Sequence, residues 1–482
     1  MNGRWILVAV AVLLSSLAHS LQAGESGDAD PAYYHDGELA GSLRSADPLP
    51  WYDADPQHLW NRLSAAIWIR ESFLPSKRGG EPIKRIEGGD RIEFLGWPGS
   101  TYWDEPETVT RISGLLDEFL DSPALAEPTA PGNDPLKRVI LQRDLWTVFD
   151  YYMVRNIERR GDAEARQRRT KLCHKLAQAI RAVALPSETL AKLPDNYAIA
   201  VDSGHFDATH EFDPSRNYLP PHLLTDRQEW PELEFHRPER HEDIERRFVF
   251  LHMLAFRGRS YFRVFYRFPE GRQQLEAYLK DLDENWVDWK FASLNGFIRL
   301  KPETPQIPAG TEVSLVQFLI ALDPDLKPVP TNLVETVRVA VYKSTGGEND
   351  PTTNTNYGVN VSKYMLKRRL AFDGLKYGGL EREPDDLPVY RILFESENAV
   401  DWGPRGRYFE LANDCRLCHA GSGLTGVHTI PSLVNSGSSD STAQPGIVHT
   451  LPADAPSPHP ARTVKWKTAD ETYRRLVEFF EE

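Results

Sequence analysis

The hydrophobic pattern of this 482-residue chain changes period near Pro302-Glu303-Thr304-Pro305, and that change restricts the fold more than any other feature. Before it, apolar residues recur at helical spacing in several stretches; after it, short Val-rich runs alternate with polar residues. A 3.6-residue period lays an apolar stripe along a helix, whereas a two-residue period places alternate side chains on one face of a strand. The chain therefore reads as α+β: a mainly helical domain over residues 53–300, a β-rich domain over 301–412, and a segment over 413–482 that ends in a helix.

Within the helical part, Asp55-Pro56 can open a helix carrying Leu59, Trp60, Leu63, Ile67 and Trp68, with His58 as a surface residue. Residues 105–120, 135–155 and 163–184 repeat the helical pattern; the second is capped by Asn133 or Asp134, with Pro135 in its first turn. Residues 240–255 and 271–282 are helical again, and 261–268 form a strand of alternating Arg and aromatic residues. His252 and Met253 lie on the first of these helices, where packing is the ordinary role. Beyond the change of period, 311–320 and 334–342 make a hairpin across Asp323-Pro324-Asp325-Leu326-Lys327-Pro328, with further strands at 389–394 and 407–411. Residues 421–462 are too polar to build a core alone. A single amphipathic helix after Asp470 closes the chain with Tyr473, Leu476, Val477, Phe479 and Phe480.

The N-terminus adds a second constraint. Arg4 is followed by an unbroken apolar run from Trp5 to Leu14 and then by small and polar residues, which is the pattern of a secretory signal over 1–23. Residues 24–52, rich in Gly, Asp, Ser and Ala, read as a flexible leader. No later stretch approaches twenty apolar residues, so no membrane span is expected once the signal is removed. The expectation is an exported protein, periplasmic or otherwise extracytoplasmic. Three cysteines are too few for a disulfide framework in an exported chain of this length. A formal net charge of −14 argues against nucleic acid or an anionic membrane as a partner and permits a basic redox partner protein.

Two of the three cysteines lie in Cys415-Arg416-Leu417-Cys418-His419. Cys-x-x-Cys-His is the attachment pattern for a c-type haem: each thiol bonds one vinyl group, and the adjacent imidazole lies beneath the iron. Other chemistries fit less well. A structural zinc site wants four ligands, usually from two such pairs, and no second pair exists. A thioredoxin-like dithiol has no need of His419, and a disulfide across two residues is strained. Cys173, in a helical pattern, reads as a buried free thiol. His205 and His210 stand among carboxylates, but their spacing matches no zinc signature and solvated or capping roles suit them better.

The motif resembles that of c-type cytochromes, and the layout resembles large exported bacterial proteins of planctomycete type that carry one such motif behind a long region; the segment Phe262-Arg263-Val264-Phe265-Tyr266-Arg267-Phe268-Pro269-Glu270-Gly271-Arg272 carries that second likeness. The resemblance implies one covalent haem c held by Cys415 and Cys418, with His419 as proximal iron ligand. Class I cytochromes take a Met after the motif as sixth ligand, and here no Met follows His419. The sixth position then falls to His428, His449 or His459 downstream, to Met365 upstream, or to no protein group. That choice separates three expectations. A six-coordinate iron suits single-electron transfer with a partner protein, whereas an open iron suits a peroxidase-like oxidoreductase. In a sensing or partner-binding module the haem has a supporting role.

Overall fold

A computed structural model describes residues 48–74, 83–88, 103, 105–122, 131–157, 161–209, 217–235, 253, 256–286, 304–305, 307–342, 359–382, 388–389, 411–412 and 448–481. The signal and nearly all of the leader, the motif, His428, His210 and His252 lie outside the described residues, as do most of the strands expected at 389–394 and 407–411.

The first helix, α1 (Leu59–Trp68), starts three residues beyond Pro56. Its cap is His58, whose ring nitrogen accepts from the Trp60 amide at 3.2 Å, so this residue is a helix cap and not simply a surface residue. Asn61 ties the preceding turn to the helix, donating to the Asp53 and Asp55 carbonyls, each at 2.8 Å. A two-stranded ribbon follows, β1 (Ile69–Leu74) paired with β2 (Ile83–Gly88). Helix α2 (Pro106–Asp121) has Pro at its first position and buries Val109, Ile112, Leu115, Leu116 and Phe119.

Helix α3 (Pro135–Ile157) is the central helix of the described structure. Asp134 caps it, accepting from the amides of Leu136 at 2.9 Å and Lys137 at 3.2 Å. Buried side chains surround it on every side, and they include Gln142, Arg143, Asp144, Thr147 and Asp150. A helix enclosed all round must pair such groups internally. Helix α4 (Ala163–Ala182), capped by Asp162, packs along it, and the short helices α5 (Ser187–Leu190) and α6 (Asn196–Asp202) follow.

Strand β3 (Leu233–Phe235) precedes β4 (Ser260–Arg267), and helix α7 (Arg272–Asp281) comes next. The main sheet then forms from β4, β5 (Glu312–Leu322), β6 (Pro328–Tyr342), β7 (Val359–Leu366) and, after the one-turn helix α8 (Arg368–Phe372), β8 (Leu380–Arg382). They lie in that order, each antiparallel to the next. The expected hairpin is present, its turn closed by Asp323, which accepts from the Asp325 and Lys327 amides at 3.0 and 2.9 Å. Strand β6 is longer than the pattern suggests because it includes Pro328 and Pro330. Its pairing with β7 begins only at Thr336, so the prolines sit where β6 has one neighbour and their missing N–H groups leave no bond unmade.

The class is α+β, as expected. The sheet joins β4, from before residue 300, to four strands that follow it, and one buried core includes Trp60, Phe149, Tyr261, Val337 and Leu476. Gln142 of α3 fastens the helix to the end of β5, its amide accepting from the Leu322 N–H at 2.8 Å and donating to the Leu322 carbonyl at 2.9 Å. Arg143 reaches Glu335 at 2.9 Å, and the other Glu335 oxygen accepts from Ser260 and Gln317. Arg368 binds both oxygens of Asp144 at 2.6 Å.

Beyond the sheet, β9 (Pro388–Val389) pairs with β10 (Leu411–Ala412), and β11 (Val448–Thr450) pairs back onto β3. Two helices close the chain, α9 (His459–Ala469) and α10 (Glu471–Glu481). The second is the expected terminal helix. The first begins inside the stretch read as too polar to build a core, and it succeeds because it docks on an existing one.

Candidate functional site

Residues 413–447, which begin just before the Cys415-x-x-Cys418-His419 motif, join two described anchors. On one side β10 is paired with β9, and on the other β11 is paired with β3. The second anchor is built from an alternation visible in Pro231-Glu232-Leu233-Glu234-Phe235, where a two-residue period turns two carboxylates to the same side of the strand. In the pairing register His449 stands directly opposite Glu234. Its Nε2 lies 3.4 Å from Glu234 Oε2, and Arg462 of α9 holds the other oxygen of that carboxylate. The hydrogen bond from His449, with Arg462 beside it, holds the Glu234 carboxyl down at about 2.

Glu232 is enclosed and takes a second group of partners: Arg263 at 2.7 Å, Arg227 at 3.1 Å and the Ser457 hydroxyl at 2.6 Å. Burial works against its charge, but the Arg263 hydrogen bond and the surrounding cations outweigh it and keep the carboxyl below the usual range. His459 lies in the same enclosure, with Nε2 3.4 Å from the Leu233 carbonyl and 3.8 Å from Glu232. Burial holds its imidazole below the ordinary histidine value despite that carboxylate. Arg272 donates to the Leu451 carbonyl at 2.8 Å and to Thr450 at 3.0 Å, completing the attachment of the chain after the motif.

A further ionic contact secures α9. Lys467 and Asp150 are both fully buried, 2.9 Å apart, and Arg259 approaches the same carboxylate at 2.5 Å. These two cations, with Arg257 nearby, overcome the burial cost and hold the Asp150 carboxyl below its ordinary range. Lys467 also sits 4.9 Å above the Trp146 ring.

The structure separates the expected iron ligands by their surroundings. Met365, on β7 opposite Thr336 and Glu381, has no exposed surface. His459 is 7% exposed. Among the described candidates His449 is the accessible one, with 43% of its side chain exposed. His205 is stacked on Tyr377 at 3.8 Å on the surface, and among the described residues no three His, Cys, Asp or Glu side chains form a metal-holding group. Cys173 is fully buried, and burial pushes its thiol far up, as befits an inert core cysteine. Among the described residues no helix is long and apolar enough to cross a membrane.

The sequence alone assigns no role to Glu232, Glu234, Arg462 or Lys467. The two-residue carboxylate alternation was the available signal for the first two; nothing local marks Lys467, whose partner is more than three hundred residues earlier. Comparisons with protein-family models, curated proteins and solved structures gave no match.

Proposed function

We propose that the protein is an exported monohaem c-type cytochrome-like carrier of single electrons. Cys415 and Cys418 would anchor the haem through thioether bonds, and His419 would be the proximal iron ligand. The observation that carries the reading is the order and spacing of those three residues. Two others support it. The N-terminal pattern directs the chain to the side of the membrane where such attachment takes place, and the third cysteine, Cys173, is sealed in the core and is no rival for haem or for a disulfide. The haem supplies reversible one-electron chemistry; the protein's part is to hold the iron, limit access of water and set the potential.

The test is production of the full chain with haem-maturation machinery, followed by a pyridine haemochrome assay after denaturation. Covalent haem at one per chain, lost in Cys415→Ala and Cys418→Ala, is the expected result. A mature protein with no covalent haem under those conditions refutes the reading.

A further inference from the structure

The last two helices rest on different parts of the fold. Helix α9 packs on strands β4 and β6, whereas α10 packs on helices α3 and α4. Asp470 separates them, with φ −67° and ψ 138°, an extended conformation that breaks the helical path between Ala469 and Glu471. Its carboxylate is held by Arg257 at 3.2 Å and by the buried Lys467 at 3.7 Å, and it accepts from the Thr472 hydroxyl. The start of α10 is therefore a fixed pivot.

The hold changes from one helix to the next. Helix α9 is pinned by the fully buried Lys467–Asp150 pair and by Arg462 on Glu234. Its Trp466 ring also lies so close over Gly258 that a Cβ there would stand 3.0 Å from it. Among the described residues the ion pairs of α10 stay within the helix: Arg475 pairs with Glu478 at 2.7 Å and with Glu471 at 4.0 Å. Near the pivot Tyr473 donates to the Leu326 carbonyl at 2.9 Å, and Leu476 is fully buried. The far end depends on two partly buried rings. Phe479 meets Phe149 of α3 edge-on at 6.1 Å and His174 of α4 at 4.2 Å. Arg181, in the last turn of α4, lies 3.5 Å over the Phe480 ring. The last turn of α10 has no basic residue of its own, so Arg181 also supplies the positive charge that the carbonyl end of a helix favours.

Elements with few buried apolar contacts open at low free energy, separately from elements pinned in the core. We propose that α10 is a flap that swings about Asp470 while α9 stays docked, with Arg181 on Phe480 as its clasp. Opening withdraws Phe479 and Phe480 and uncovers the otherwise enclosed Phe149 ring and the His174 side of α4.

The test is native-state hydrogen exchange, read by mass spectrometry on the full-length protein and on its Arg181→Gln, Phe480→Ala and Lys467→Met variants. Circular dichroism confirms that each is folded. In wild type, peptides from 471–481 should exchange at least about tenfold faster than those from 459–469. Arg181→Gln should speed exchange in 471–481 by about a further tenfold, through loss of the cation–π contact and of the helix-end charge together, and leave 459–469 unchanged. Phe480→Ala, which removes the other half of the clasp, should act in the same way. Lys467→Met should speed exchange in both helices at once, because the pivot is released with α9. A single common opening of 459–481 in wild type overturns the flap. So does exchange in 471–481 that Arg181→Gln leaves unmoved, or an Arg181→Gln effect spread equally over α3, α4 and α9.

Discussion

The buried pair between α3 and α9 offers a direct test of how the C-terminal helices are held. In Lys467→Met the stem is retained and the ammonium is lost, leaving Asp150 with Arg259 as its remaining close cation. Breaking a buried ion pair by removing one partner costs about 3–5 kcal/mol, because the other charge is left without compensation. Arg259, at 2.5 Å, still compensates part of the Asp150 charge, so the loss should fall at the lower end, about 3 kcal/mol. Asp150→Asn alone should cost a similar amount, because it leaves Lys467 and Arg259 facing one another. The double variant should be more stable than the sum of the two losses by about 1–2 kcal/mol, which is the coupling expected of residues in direct contact. Urea unfolding followed by tryptophan fluorescence is the assay, with Trp146 beneath Lys467 one of the twelve tryptophans that contribute. An unchanged midpoint for Lys467→Met, or strict additivity in the double variant, would refute the view that this pair fastens α9 to the core.

Further consequences can be measured separately. Gly378 has φ +65°, and a Cβ there would lie 2.0 Å from the Asn196 carbonyl oxygen, so Gly378→Ala should destabilise by roughly 3 kcal/mol, combining backbone strain with the displacement of a packed turn; a midpoint within 1 kcal/mol of wild type by the same unfolding assay, roughly the size of an ordinary surface change, would count against it. Glu234, at about 2 when folded against a usual carboxylate value near 4.5, contributes stability that is present above pH 4.5 and lost as the pH falls toward 2. Proteolysis of residues 448–481 should therefore accelerate across that window, and Glu234→Gln should flatten the dependence. The folded protein should give no reaction at Cys173 with a soluble thiol reagent and full reaction in denaturant, since the thiol is buried and its pKa is raised by burial; prompt labelling without denaturant would contradict the enclosed position.

Much of the local structure was legible in the residues themselves. Asp134-Pro135 marks the start of α3, Asp323 and the prolines after it mark the turn between β5 and β6, and the paired aromatic and Arg residues of 261–267 mark β4. In each case the signal lies within a few residues of its effect: a cap for exposed amides, a turn conformation, a two-residue period. The haem chemistry proposed for Cys415, Cys418 and His419 rests on the same kind of local signal, a covalent spacing within five residues.

What the tertiary structure decided is whatever depends on residues far apart in the chain. The helical period of 135–155 shows a helix, yet it does not show that Arg143, Asp144 and Asp150 are all inside, because the pattern contains no hint of Glu335, Arg368 and Lys467 arriving to pair with them. Nor does the polar composition of the stretch after the motif show that its end is tied down. Ser457, His459 and Arg462 are ordinary surface residues until β3 brings Glu232 and Glu234 to meet them. Read along the sequence, His428 stands out among the downstream histidines proposed as iron ligands, because it is near the motif and follows a Gly-rich loop, whereas His449 and His459 sit among prolines. Only the fold encloses His459 and presents His449, since burial and charge pairing are set by which surfaces meet.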